Sequence, residues 1–254
     1  MNIILKREDE IELIKQSGDI LVNTIALVGK NIKPGVSLLY LDKIADEYIR
    51  DNNAIPACKN YYGFPGSLCL SVNEIVLHGI PSSYELKDGD IVSVDCVVKY
   101  NGYYSDCTYT YGVGDISAEN RRLIETTKNS LLGAIEVAKV GNTLGDIGYY
   151  IENYVKKNGY YIVDNYSGHG VGLDIHEDPL VFNYGKKNDG FKICNGLVIA
   201  IEPIVGATTS KTRTLSGDYN VIMENRCMSS HFEVTVGFYN NKTIILTDLK
   251  KCEL

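Results

Sequence analysis

The chain has 254 residues, with 32 Asp and Glu against 25 Lys and Arg, for a net charge of −7. The acid surplus excludes binding to nucleic acid through a broadly basic face, so no direct nucleic-acid readout is expected. At 44% hydrophobic residues the chain can bury a sizeable core and is not disordered. It holds seven Cys, no Trp and only four His, so any metal or acid/base chemistry has few imidazoles to draw on.

Residues 8–30 place Ile11, Leu13, Ile14, Leu21, Val22 and Ile25 at helical spacing. Gly35-Val36-Ser37 opens a second helix over about 37–52, with Ser37 as N-cap. An apolar strand, Ile91 to Val94, ends in Asp95. Residues 91–99 and 103–111 read as an antiparallel hairpin across Tyr100-Asn101-Gly102. Helical spacing returns over 118–140, through Leu123, Ile124, Leu131, Leu132 and Ile135, and again over 141–158. A second apolar strand, Leu197 to Ile201, ends in Glu202. A late antiparallel pair is expected near 219–223 and 230–238.

The richest apolar run, Gly196 to Ala207, is broken by Glu202 and Pro203 and is far below the ~20 residues a membrane span needs. The N-terminal apolar stretch is too short for a secretory signal. With no export signal and no CxxC, the cysteines are expected to be free thiols in a reducing, cytoplasmic setting.

The second half of the chain repeats the first. Gly35 corresponds to Gly141, Ser37 to Thr143, Leu38 to Leu144, Tyr48 to Tyr154 and Asn52 to Asn158. The stretch Gly89–Asp95 corresponds to Gly196–Glu202, and His78 and Pro81 correspond to His176 and Pro179. Asp106 and Thr108 correspond to Glu233 and Thr235. The expected architecture is α+β: a single domain over 1–254, built from pseudo-twofold halves of about 1–111 and 112–254 that share one mainly antiparallel sheet covered by helices.

The repeat places acids where burial is costly. Asp95 and Glu202 each end an apolar strand, and Asp106 and Glu233 lie on strands beside them. Carboxylates gathered this way need protons or cations, and two divalent cations would balance the charge. His169 lies between Gly168 and Gly170, where the backbone can approach a bound group. The loop lacks the spacing of a phosphate-binding fingerprint. His78 and His176, as a repeat-related pair, suit acid/base or carbonyl-polarising roles.

These residues resemble the type I methionine aminopeptidases, of the short bacterial form, over nearly the whole chain. The motifs that carry the resemblance are Tyr61-Tyr62-Gly63-Phe64-Pro65, Cys69 through Asn73 to His78 and Pro81, and Asp95 with Tyr103 to Asp106. They continue through Gly168-His169-Gly170 with His176 to Pro179, Ile201-Glu202-Pro203 and Phe232-Glu233. The resemblance implies a pita-bread metallopeptidase of family M24 that removes the initiator Met from nascent proteins when the second residue is small. It implies that Asp95, Asp106, His169, Glu202 and Glu233 hold two divalent ions, with Asp106 and Glu233 bridging them. Glu202 would shuttle a proton, His176 would polarise the scissile carbonyl and His78 would contact the scissile nitrogen. The Met pocket would use Tyr61, Phe64, Cys69, His78, Ile175, His176 and Tyr219. One imidazole and four carboxylates form a hard donor set, open to Mn²⁺, Fe²⁺, Co²⁺ or Zn²⁺. A monovalent cation near Asn73, a monomeric state and docking at the ribosome surface are further implications.

The sequence departs from the family at four positions. Ile175 stands where Phe is usual, Tyr219 where Trp is usual, His231 where Gln is usual and Val234 where His is usual. Other readings are an Xaa-Pro peptidase, whose members usually carry an additional N-terminal domain, a non-catalytic binding protein on the same fold, and a Cys/His hydrolase using Cys69 or Cys107.

Overall fold

The computed structural model of the protein describes residues 2–215 and 219–253. Among them are four α-helices: α1 (Glu8–Asn31), α2 (Leu38–Asp51), α3 (Ala118–Val137) and α4 (Leu144–Lys157). Their starts follow the sequence signals. The Ser37 hydroxyl accepts the Tyr40 N–H at 3.2 Å and the Ser117 hydroxyl accepts the Asn120 N–H at 3.1 Å, each satisfying an orphan donor of the first turn. At α4, Thr143 and Asp146 close a reciprocal capping box. Helix α1 buries Ile14, Leu21, Val22 and Ile25 completely and packs across the central hairpin.

That hairpin joins Ile91–Tyr100 to Tyr103–Gly112 and is the centre of a nine-stranded sheet. Glu233–Tyr239 pairs with its second strand, then Val198–Ile201, Ser167–Gly170 and finally Glu177–Phe182 at the edge. Val92, Val94, Cys96 and Val98 alternate onto one face and are fully buried in the main core. The other face carries the acids. Thr108 lies opposite both Asp95 and Glu233, and Val234 lies opposite Ile201, the residue before Glu202. Asp106 and Thr108 are two apart and share a face. The register alone therefore brings the carboxylates together.

Equivalent contacts recur in both halves of the sequence. Gly35 and Gly141 both take positive φ, 86° and 100°, a conformation that strains any residue with a Cβ. Their N–H groups donate to the carbonyls of Leu86 and Ile193, at 2.7 and 2.9 Å. The side-chain amides of Asn52 and Asn158 donate to Tyr48 and Tyr154 carbonyls, at 2.8 and 2.9 Å.

The late strand pair differs from the expectation. Val221–Met223 pairs with Thr212–Thr214 and Ile75–Leu77 in a small separate sheet, not with the strand that begins at Glu233. That strand instead folds back on Lys242–Ile245. The reason is turn chemistry: Asn240 and Asn241 both adopt positive φ, 51° and 58°, which a tight hairpin requires. No helix among the described residues is long and apolar enough to cross a membrane.

Candidate metal centre

Asp106, His169 and Glu233 form a buried trio whose potential ligand atoms all lie within 4.8 Å of one another. Asp106 comes from the hairpin's second strand, His169 from Ser167–Gly170 and Glu233 from the start of the neighbouring strand. Glu202 joins them: its Oε1 and the Asp106 Oδ2 are each 3.7 Å from His169 Nε2. Asp95 stands outside the tight trio but lines the same cavity of about 180 Å³. All five expected ligands thus face one small polar cavity, and His78 and His176 stand at its wall.

The donor set fits divalent cations on three counts. First, the His169 Nδ1–H donates to the Gly170 carbonyl at 2.9 Å, which assigns the tautomer and leaves the Nε2 lone pair facing the carboxylates. Burial, with His176 nearby, pulls the His169 pKa down to about 4, so the ring is neutral at pH 7. A lone pair aimed at carboxylate oxygens is repulsive unless protons or cations lie between them. Second, Asp106 Oδ1 and Glu233 Oε1 are buried without a hydrogen-bond partner. Third, burial pushes the carboxyls of Asp106, Glu202, Glu233 and Asp95 upward, and mutual repulsion raises the first three further. For Asp95 the His231 ring and the Thr108 hydroxyl partly offset this. Ligands ~2.1 Å from one ion lie ~3.0–3.4 Å apart, so small side-chain movements would close the trio on a metal.

Neighbouring groups hold these residues in place. The Thr108 hydroxyl donates to Glu233 Oε2 at 3.0 Å and orients that side chain, while the Asn183 amide donates to the Glu202 backbone carbonyl at 2.8 Å. His231, which stands where the family usually has Gln, is buried in the same cavity. Its Nε2 is 3.5 Å from Glu202 Oε2. Burial lowers its pKa to about 4 against the opposing pull of Asp95. Val234 points away, fully packed in the sheet among the core side chains.

A second cavity of about 450 Å³ adjoins the first and shares His78, Asp95, Asp106 and His176 with it. Every residue expected in the Met pocket lines it: Tyr61, Phe64, Cys69, His78, Ile175, His176 and Tyr219. The Phe64 and Tyr219 rings meet edge-on at 5.5 Å, and the Tyr219 hydroxyl donates to the Tyr62 carbonyl at 2.9 Å. Tyr61 OH and His176 Nδ1 are hydrogen-bonded at 3.0 Å. Both rings keep an exposed face, and desolvation in the cleft lowers their pKa values, aided by His78 on His176 and by His231 on His78 and opposed by Asp174 on His176. Cys58, Tyr62 and Val97 also line the pocket and are absent from the sequence-based list. Cys58 and Cys69 belong to one small apolar cluster with Phe64 and Ile175. Nothing in the local pattern around Cys58 distinguishes it from a core thiol. Near Asn73, the Ser229 hydroxyl lies 3.0 and 3.2 Å from the carbonyls of Asn73 and Ile75.

Comparison with known proteins identifies the family of the chain. Residues 12–239 match the sequence model of metallopeptidase family M24. A methionine aminopeptidase of Clostridium perfringens is 46% identical over 98% of this chain and 100% of its own length. The crystal structure of methionine aminopeptidase from Rickettsia prowazekii superposes with a TM-score of 0.95, at 35% identity, over 97% of this chain and 100% of that one. The Thermotoga maritima methionine aminopeptidase structure gives 0.95 at 34% identity, again over 97% of this chain and 100% of that one. The fold is the pita-bread fold, and the chain belongs to the methionine aminopeptidases of metallopeptidase family M24.

Proposed function

We propose that this enzyme removes the N-terminal Met from nascent polypeptides whose second residue is small. The observation that carries the reading is the junction of an apolar 450 Å³ pocket with a cavity of buried carboxylates, made through His78, Asp95, Asp106 and His176. The pocket offers Tyr61, Phe64, Cys69, Ile175 and Tyr219 to a thioether side chain, which gains from contact with aromatic rings. The substrate's free amine would bind at ions held by these carboxylates, which favours a terminal residue over an internal one.

Asp95, Asp106, His169, Glu202 and Glu233 would hold two divalent ions, of Mn, Fe, Co or Zn. When bound, such ions supply an activated water and positive charge beside the scissile carbonyl. Glu202 takes the proton of the attacking water and delivers it to the leaving amine. Its two oxygens face different partners, His169 and His231, which suits a group asked both to hold an ion and to move a proton. The tautomer in which Nδ1 accepts from the Tyr61 hydroxyl leaves His176 an Nε2–H to offer the carbonyl oxygen as that oxygen gains charge. His78 faces the scissile nitrogen.

We read residues 1–254 as one catalytic unit with halves of about 1–111 and 112–254, acting as a monomer in the cytoplasm and meeting nascent chains at the ribosome surface. The central sheet, to which both halves contribute strands, supports the first part of this reading. A monovalent cation near Asn73 is part of the same reading.

The test is mass-spectrometric cleavage of Met-Ala, Met-Leu and Ala-Pro peptides by metal-free protein with each divalent ion added back. Met should be lost from Met-Ala, far less from Met-Leu, with Ala-Pro intact and EDTA abolishing turnover. Cleavage that survives EDTA but not a thiol alkylator would support a cysteine hydrolase instead, and cleavage of Ala-Pro alone an Xaa-Pro peptidase.

Ile175 is buried on the pocket wall. Ile175→Phe should change kcat/KM for Met-Ala by about 10-fold, the scale of a pocket-size change. Tm should move by no more than about 4 °C, equivalent to ~1 kcal/mol. An unchanged kcat/KM removes Ile175 from the pocket.

A further inference from the structure

We propose that Lys6 is a positioning residue: through a buried ion pair with Glu177 it fixes the turn that presents Ile175 and His176 to the substrate. The proposal rests on the aminopeptidase reading for the roles of those two residues, while the clamp itself rests on geometry.

Lys6 Nζ pairs with Glu177 Oε2, and the two side chains are only 1% and 5% exposed. The same ammonium donates to the Ile4 carbonyl at 2.9 Å. The other Glu177 oxygen, Oε1, accepts the N–H groups of Leu173 and Asp174 at 2.6 and 3.0 Å. One carboxylate therefore joins the N-terminal segment to the turn just before Ile175 and His176. Leu173 and Asp174 are themselves exposed, so side-chain packing contributes little to holding this turn.

The turn is shaped to receive the lysine. Gly172 has φ of 146°, and a Cβ there would meet Lys6 Cε at 2.8 Å and Ile14 Cδ1 at 2.9 Å. The lysine stem lies directly over this glycine, so its path is set by close contact as well as by charge. The Lys6 backbone is fixed in turn: its N–H donates to the Gly196 carbonyl at 2.6 Å. Earlier in the segment, Ile3 bridges to Asp178 on the edge strand.

A buried ion pair seldom stabilises a fold more than apolar residues of the same volume would. Filling this space does not require a charge. Holding Glu177 so that its second oxygen faces two backbone N–H groups does. The consequence falls on His176, whose Nε2–H must meet a carbonyl oxygen, and on Ile175 beside the pocket. Misplacement by ~1 Å at such a position costs up to ~10²-fold in rate, even when its cause lies far from the reacting atoms.

The experiment compares Lys6→Met, Glu177→Gln and the double variant in the metal-loaded enzyme. It reads kcat and KM on Met-Ala, bound metal, and amide hydrogen exchange at Leu173 and Asp174. Each single variant should lower kcat by about 10- to 100-fold with KM changed far less. Metal content should stay at the wild-type level. Exchange at the two amides should quicken while the 91–112 hairpin stays protected. The double variant should be no worse than the worse single, because both act through one pair. Unchanged exchange at Leu173 and Asp174, wild-type kcat, or additive losses would overturn the proposal. So would exchange quickened equally in the hairpin, which would make the pair a general brace. If Lys6→Met does not fold, Glu177→Gln carries the same readouts, since Gln keeps the volume and the acceptor oxygen. If the wild type fails to cleave Met-Ala, the functional reading falls, and the exchange measurement still decides the clamp.

Discussion

Glu202→Gln is expected to lower kcat on Met-Ala by about 10²–10⁴-fold, the usual worth of a positioned acid/base group. Metal content should remain near wild type. Glu202 directly follows Val198–Ile201, a fully buried strand, so its backbone has little freedom. Its two oxygens face different partners: Oε1 lies 3.7 Å from His169 Nε2 and Oε2 lies 3.5 Å from His231 Nε2. Gln matches Glu in size and keeps one oxygen to serve as a ligand. It cannot take up a proton. The substitution therefore separates holding an ion from moving a proton. Elemental analysis and steady-state kinetics on the same sample read the two separately. Wild-type kcat would mean that the proton travels by another route. Parallel loss of metal and activity would leave Glu202 as a ligand only.

How far the sequence reaches depends on the range of the interaction involved. All four helices are legible because periodicity and capping are local: Ser37 and Thr143 mark helix starts within a few residues. The central hairpin is legible from Asn101-Gly102, and the acids from the cost of ending an apolar strand in a carboxylate. The late strands are not. Val221–Met223 and Ser229–His231 are three residues each, and each pairs with a segment far from it in sequence, Ile75–Leu77 and Ile204–Gly206, so alternation carries too little signal to choose those partners. The turn at Asn240-Asn241 was the available clue to the true hairpin. The four acids expected as metal ligands follow from the repeat combined with strand register, and His169 from its flanking glycines and the resemblance, whereas the pocket gathers residues from several loops. Its members Tyr61, Phe64 and Cys69 come from resemblance alone, and Cys58 and Tyr62 join it only in three dimensions. Nothing in the sequence marks Lys6, beside Arg7, for a special role, yet it is 4% exposed.

Removing the divalent ions should lower Tm at pH 7.5 by about 8–16 °C. This follows from ~4 kcal/mol of linkage at a free ion concentration ~1,000 times Kd, and ~2–4 °C per kcal/mol for a chain of this size. The gap should narrow as pH falls, for a reason that the cavity supplies. In the metal-free fold, burial raises the pKa values of Asp95, Asp106, Glu202 and Glu233. Unfolded carboxyls titrate near ~4. Above that pH the unfolded chain releases protons that the stripped fold retains, so the stripped fold loses stability as pH rises through its own carboxyl pKa values. His169 and His231 act in the opposite sense. Both are buried neutral with pKa about 4. Unfolded imidazoles titrate near ~6.5, so these two cost stability only below that pH. Above pH ~6.5 the imidazole contribution is level and the carboxylate trend stands alone. Cations reverse that trend, because they bind the ionised ligands and bind more tightly as protons leave. Scanning calorimetry of stripped and loaded protein at pH 5.5, 6.5 and 7.5 reads both slopes. A gap that is constant with pH, or widest at pH 5.5, would mean that the four carboxylates are not what the ions bind.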